Sequence, residues 1–351
     1  MTAQASTKAS MSILVVGLGV IGATYGYLFQ KAGHRVEHLV RSSSARSGIS
    51  SLEVEILDGR TDTKGSLSHD RYSVHHHVHH RARSRYDLIV VSVPQGRIAE
   101  VMADLDAGGI EGPVLLFCGF WGEREELDGL LAGRDVILGY PVAGGGYPVA
   151  GGSITGNRLD CCVFDHVMLE RRDRARFPGY ERVEALFASC GISLERPYDM
   201  LEWIWLHMAI NAGVGAVAGM YGDIEDTTRS AEQLMGSTRM LARAVRAIRE
   251  TSRIVASRGV DLSRYRGELL AYRLPTAVSA PLMRRMFARN LLTRRIMTLH
   301  GNTDDLLFVC GTVYEQGRGG GIPAPVFYES YEAVRGKAAR RGSGTADIAR
   351  P

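Results

Sequence analysis

Gly17-Leu18-Gly19-Val20-Ile21-Gly22 places three glycines at the spacing that lets a backbone turn wrap a diphosphate. Gly17 permits the tight turn, Gly19 lets the main chain approach the ligand, and Gly22 lets the following helix lie close to the preceding strand. Val20 and Ile21, at the helix start, add free N–H groups and the positive end of the helix dipole. Further on, Arg41 is followed by Ser42, Ser43, Ser44 and Arg46. This is where an NAD-binding chain would place an acid for the ribose 2′-hydroxyl. A guanidinium instead makes charge-assisted, bidentate bonds to phosphate oxygens, so the set points to a 2′-phosphate and NADP(H) as cofactor. A third cluster, His75-His76-His77-Val78-His79-His80, would put alternate imidazoles on one strand face. Arg81, Arg83 and Arg85 flank it and no nearby acid orients the rings, so no metal site is expected.

The elements that must position these residues follow from periodicity. Ile13 to Val16 is a β-branched run leading into the glycines, Ala23 to Ala32 is helical and ends at Gly33, and Arg35 to Val40 is a second strand, completing a βαβ unit. Strands are predicted at Asp87–Val93, Pro113–Phe117, Asp135–Leu138 and Asp160–Phe164, and helices at Arg97–Leu105, Arg124–Leu131 and Tyr180–Cys190. Strands alternating with helices imply a parallel sheet. Beyond Pro197 the pattern turns helical, with segments at Leu201–Met220, Ser230–Arg258, Ala280–Met286, Asp304–Gln316 and Val326–Val334. The fold class is therefore α/β: an N-terminal Rossmann domain with a doubly wound parallel sheet, followed by an all-helical C-terminal domain. We divide the chain into a flexible leader at 1–10, the Rossmann domain at 11–198, a helical substrate and dimerisation domain at 199–335, and a disordered basic tail at 336–351. A seven-residue duplication, Gly139–Gly145 repeated as Gly146–Gly152, lengthens a glycine-rich loop at the carboxyl end of a strand, where α/β proteins bind ligands.

Composition excludes several classes. With 351 residues, 45% hydrophobic and 23% charged, the chain reads as a soluble globular protein of two domains. It has no stretch of about 18 uncharged apolar residues to span a bilayer. The polar segment Met1–Ser10 lacks a secretory apolar region. Five scattered cysteines without a CxxC pair read as reduced thiols of a cytoplasmic protein. A net charge of +4, with both signs interleaved, argues against a nucleic-acid partner. The expected partners are a small-molecule substrate and, through the second domain, a second copy of the chain.

The order of these features resembles the ketopantoate reductase (ApbA/PanE) family, whose helical domain is 6-phosphogluconate-dehydrogenase-like. The family's W-x-K-x-x-x-N helix reads here Trp205-Leu206-His207-Met208-Ala209-Ile210-Asn211. Its closing segment reads Asp305-Leu306-Leu307-Phe308-Val309-Cys310-Gly311, and then Gly321-Ile322-Pro323-Ala324-Pro325. The resemblance implies that His207 stands where the family has the lysine that protonates the substrate carbonyl as hydride arrives. Imidazole, with a reference pKa of about 6.5, can do the same work, and His207 and Asn211 share a helix face. It further implies that Asp305 replaces the glutamate that holds the substrate hydroxyl and Thr293 the serine that grips the carboxylate. Pro94, beside Gln95 at the cofactor site, replaces a lysine, Gly119 replaces a substrate-orienting asparagine, and Gly215 replaces a second asparagine. Those losses argue against ketopantoate as substrate. Trp121, Tyr140 and Tyr147 are candidates to line a larger, more apolar pocket, with Trp203, Trp205 and Phe120 alongside.

The reading that follows is an NADPH-dependent reductase of a carbonyl or imine on a bulkier substrate, with His207 as proton donor. The alternative is a non-redox enzyme, such as a cyclase, isomerase or eliminase, that retains NADP(H).

Overall fold

The computed structural model describes residues 10–77, 84–131, 133–150, 153–154, 157–175, 177–298 and 303–347. The chain opens with β1 (Ser12–Val16), α1 (Val20–Lys31) and β2 (Arg35–Leu39), then forms a hairpin of β3 (Ser51–Asp58) and β4 (Ser66–Ser73). After β5 (Ser84–Arg85) come β6 (Leu88–Val91), α2 (Ile98–Ala107), β7 (Ile110–Glu111), β8 (Val114–Phe117), α3 (Arg124–Leu130) and β9 (Val136–Tyr140). Then follow β10 (Ala143–Gly146), β11 (Val149–Ala150), β12 (Ser153–Ile154), β13 (Arg158–Val163), β14 (His166–Leu169), α4 (Tyr180–Ser189) and β15 (Ser193–Glu195). The helical half comprises α5 (Met200–Tyr221), α6 (Thr227–Gly236), α7 (Thr238–Ala256), α8 (Arg266–Arg273), α9 (Thr276–Arg289), α10 (Leu291–Thr298), α11 (Thr303–Gly319) and α12 (Pro325–Asp347).

The main sheet has the order β15-β14-β9-β8-β6-β1-β2, parallel from β9 through β2, with β14 antiparallel to β9. From β1 the chain moves outward to β2 and later returns to β6 on the other side. The order therefore reverses at β1, and the crevice for a ligand lies at the carboxyl ends of β1 and β6. Residues of β1 alternate between two cores: Leu14 and Val16 face one, Ile13 and Val15 the other. Burial of both faces is why this strand is apolar throughout. The first core is continuous with the helical half, running through Ile89, Val91, Leu116, Trp205, Ala212 and Phe327.

A second sheet, β10-β13-β3-β4, was not anticipated. The strand predicted at Asp160–Phe164 belongs to it, paired parallel to β3 and antiparallel to β10. Within the helical half, the helix expected over Ser230–Arg258 is two helices. Ser237 between them is extended, and its hydroxyl accepts from the Met240 N–H at 3.3 Å, capping α7. The tail expected to be disordered continues as α12 to Asp347. Lys337 ties it down, donating to the carbonyls of Gly219, Met220 and Gly222 at 2.7 to 2.8 Å, where α5 ends and a cation complements its dipole. The predicted leader, except Ser10, and residues 348–351 of the tail lie outside the described residues.

Helix α5 is long and apolar enough to cross a bilayer, but most of its length is buried by its neighbours. Its small residues set how close they come. A Cβ at Gly213 would meet the Ile248 backbone nitrogen of α7 at 2.9 Å, and one at Gly215 would meet Leu306 of α11 at 2.6 Å. Alanine in mid-helix normally gains up to about 1 kcal/mol over glycine. Because backbone opposes the new methyl, Gly213→Ala is expected to cost about 1–3 kcal/mol instead. Chemical denaturation decides between the signs.

Candidate cofactor and substrate site

The glycine-rich turn is built by both of its neighbours. Gly17 adopts φ +85°, and its N–H donates to the Leu39 carbonyl of β2 at 2.8 Å. Gly22 lies against β1, where a Cβ would come within 3.0 Å of Val15. Space above Gly19 is open, and as N-cap of α1 it offers no side chain to the first amides of the helix. Those N–H groups, at Val20 and Ile21 and beyond, are left to a ligand, which is what a diphosphate requires.

His38 supports this turn, a role that sequence reasoning missed. Fully buried in β2, its Nδ1 lies 2.8 Å from the Gly17 carbonyl and its Nε2 lies 2.6 Å from the Tyr72 hydroxyl. A carbonyl can only accept, so Nδ1 carries the proton and Nε2 accepts from Tyr72. Gly26 of α1 leaves the room, since a Cβ there would come within 2.6 Å of the Tyr72 hydroxyl and 3.0 Å of His38 Nε2. Burial holds His38 neutral, pushing its pKa down to about 4 against the raising effect of its bond to Gly17.

Arg41 stands just past β2, with its side chain 55% exposed and 3.5 Å from Glu100 of α2. Arg97 grips the same carboxylate at 2.6 and 2.9 Å, so two guanidinium groups converge beside the crevice. Ser42 lies in the turn that follows Arg41. Pro94 is extended after β6, and Gln95 Oε1 accepts from the Trp121 backbone N–H at 2.8 Å, joining the loops after β6 and β8.

The duplicated loop lies over the cofactor turn. Tyr147 donates to the Leu18 carbonyl at 3.0 Å, and Arg46 covers its ring at 4.2 Å. Tyr147, expected to line the substrate pocket, is therefore placed on the cofactor side. Gly151 and Gly152 of the second copy lie outside the described residues.

His207 projects from α5 at the domain junction, between two rings. Trp203 stacks on it at 4.8 Å with planes 14° apart, and Tyr140, ending β9, packs at 4.7 Å. The Trp203 indole N–H donates to Glu268 at 3.1 Å, which fixes the platform. Burial pushes the Tyr140 phenol up to about 12, so it faces the imidazole as a neutral group. Asn211, one turn on, shares with His207 the half-buried side of α5. Trp121 is buried against Arg258, and Phe120 is core. Gly119 meets α5, where a Cβ would lie 3.3 Å from Met208 Sδ. Cys118 beside it is a buried thiol with its pKa pushed up to about 12 by burial, which makes it no nucleophile.

Asp305 and Thr293 stand on helices other than the one that carries His207. Asp305 is exposed in the first turn of α11, and Leu306 beside it packs at Gly215, about 12 Å along α5 from His207. Thr293 is half-buried in the first turn of α10, where its N–H is capped by Asn290 at 2.9 Å. That helix lies on β10 and β13 of the second sheet. The described histidines of the His75–His80 run extend the sheet edge beyond β2: His77 N–H donates to the His38 carbonyl at 2.8 Å, and His76 Nε2 contacts the Ile49 carbonyl at 2.7 Å. Among the described residues no cluster suited to a metal ion occurs, and His79 and His80 lie outside them.

A parallel sheet with this turn after its first strand, closed at its carboxyl edge by a long helix of a second domain, defines a two-domain dinucleotide-binding architecture. More particularly, residues 13–146 match the ketopantoate reductase PanE/ApbA family, and so bear out the resemblance read from the sequence. No curated protein sequence matches the chain. Solved structures similar to it include dimeric ketopantoate reductase from Staphylococcus aureus (11% identity, TM-score 0.59, covering 94% of this chain and 99% of that one). D-mandelate dehydrogenase with NADH and anilino(oxo)acetate is similar at 12% identity and TM-score 0.63, covering 93% of this chain and 98% of the other. Yersinopine dehydrogenase with NADP+ bound matches at 13% identity and TM-score 0.63, covering 93% and 91%. At such identities the likeness establishes the shared fold: a Rossmann domain followed by a helical domain.

The neutral state of His38 has a consequence for stability. Its folded pKa lies below the unfolded value of about 6.5, so the unfolded chain takes up the proton first. Its contribution is then unchanged above that pH and is lost as pH falls from about 6.5 to 4, approaching about 3 kcal/mol. His38→Gln cannot titrate, so its melting temperature should fall less steeply than the wild type's between those pH values. Parallel curves would refute the buried neutral imidazole.

Proposed function

We propose that this chain is an NADP(H)-dependent reductase of a carbonyl or imine on a substrate bulkier and more apolar than ketopantoate. The observation that carries the reading is the uncapped start of α1 beneath an open Gly19, with Arg41 at the end of the adjoining strand. The amides of the Gly17–Gly22 turn would hold the diphosphate, while Arg41 and Ser42 would hold the 2′-phosphate, displacing Glu100 from the arginine. Pro94, Gln95 and Gly119 would border the nicotinamide end. Bound NADPH supplies the hydride.

The chain's own residues do the rest. His207 donates a proton to the substrate heteroatom, and Asn211, on the same side of the helix, orients that atom. Trp203 and Tyr140 exclude water and hold the imidazole in one plane, and a positive imidazolium gains from a stacked indole. Trp121, Thr293 and Asp305 complete the substrate side in this reading. Aromatic groups around His207 favour an aromatic or otherwise large oxo acid, the class to which the anilino(oxo)acetate of the mandelate dehydrogenase complex belongs. A homodimer is part of the proposal: Val278, Leu282 and Met286 of α9 are exposed at four-residue spacing, an apolar stripe that a second copy would cover. Sedimentation reads that state directly.

Titration with NADPH and NADH, followed by turnover of a panel of oxo acids, ketones and imines, tests the assignment. Arg41→Ala should weaken NADPH by about 10-fold or more and leave NADH nearly unchanged. His207→Ala should lower kcat by about 100-fold or more, with partial recovery in His207→Lys. Absence of affinity for either nucleotide would overturn the reading.

A further inference from the structure

Among the described residues, four hydrogen-bond donors on three neighbouring side chains are buried without an acceptor at the domain junction. Arg258 follows α7, with its side chain only 4% exposed, and its Nε and Nη1 find no partner; the indole N–H groups of Trp121 and Trp205 are likewise unpaired. The three side chains are neighbours, since Arg258 Cζ lies 3.6 Å from the Trp205 ring centroid and 4.8 Å from that of Trp121. A separation of 3.6 Å is reached only over the face of an indole. The N–H bonds of a planar guanidinium in that position run beside the ring, leaving them to seek an acceptor in their own plane.

Three side-chain acceptors on the surrounding elements are already engaged, and the Glu126 carboxylate lies beside Gly122, next in the chain to Trp121. Gln95 Oε1 takes the Trp121 backbone N–H, Glu268 takes Trp203, and Glu202 takes the Tyr265 hydroxyl at 2.6 Å. Among the described residues Glu123 is the carboxylate that reaches the arginine, accepting from Nη2 at 2.6 Å, and its side chain is 63% exposed. A buried guanidinium with half-used donors is costly, and every unsatisfied group here is a donor. What satisfies the set is compact, negatively charged and rich in acceptors.

We propose that Arg258, Trp121 and Trp205 form an anion site for a small carboxylate, with Glu123 serving as a displaceable carboxylate at its solvent edge. Trp205 and His207 are two residues apart on α5 and so project on opposing sides of the helix. The site is therefore separate from the position of the reacting carbonyl. Its three residues come from the loop after β8, from α5 and from the end of α7, so an anion held there joins the two domains.

The test uses the full chain and formate. Trp121 and Trp205 are two of the three tryptophans, so their emission reports binding without cofactor or turnover, and the result is independent of the reductase assignment. The expected result is a saturable change in emission, with a rise in melting temperature as formate is added. Arg258→Gln should weaken the response about 10-fold or more. Trp121→Phe and Trp205→Phe keep a ring but remove the donor, and each should weaken it several-fold even if Arg258→Gln fails to fold. Formate inhibition of an oxo acid but not of its amide would identify a second carboxylate of the substrate as the natural occupant, whereas no effect on either would identify a free anion. No saturable response in the wild type, or an unchanged one in all three variants, overturns the proposal and leaves Arg258 as a stacked link between domains.

Discussion

The close approach of α5 to everything around it is the constraint on which the rest of the structure depends. Gly213 admits the backbone of α7, Gly215 admits Leu306, and Gly119 at the end of β8 admits Met208. With these contacts made, the helix can lie only one way across the carboxyl edge of the sheet. The side that carries His207 is then turned to the end of β9, and the side that carries Trp205 is turned into the core. Packing at this density does not deform gradually, so the site inherits its geometry from the helix seat.

The same contacts explain the altered residues. Gly119 and Gly215, at positions where the resemblance implies asparagines, leave space that Met208 and Leu306 fill. An indole, an imidazole and a phenol are in mutual contact at the junction of the sheet with α5. The cofactor side shows the opposite balance. There the turn donates to the Leu39 carbonyl and accepts from His38 and Tyr147, and basic residues gather around the Glu100 carboxylate.

Legibility followed local physics. β1, α1 and β2 were readable because a β-branched run, three glycines and a terminating Gly33 each leave a mark within a few residues. The second sheet was only half readable. β3 alternates buried Leu52, Val54 and Ile56 with polar residues, whereas β4 is exposed along nearly its whole length and shows no pattern. A strand that owes its existence to the hydrogen-bonding edge of its neighbour carries little trace in its own composition. The tail misled for a related reason: its arginines and glycines read as disorder, while the helix is anchored by one lysine bonded to carbonyls more than a hundred residues earlier.

By itself the sequence determined the βαβ unit with its phosphate-binding turn, the arginine that follows β2, and the helical second half, because each is written in short-range spacing. Tertiary structure alone decided that His38 buttresses the turn, that Tyr147 covers the cofactor side while Tyr140 packs on His207, and that Arg258 is buried between two indoles. Those pairings join residues far apart in the chain. They depend on which surfaces α5 and the second sheet press together, a choice made by burial and close packing that no local pattern encodes.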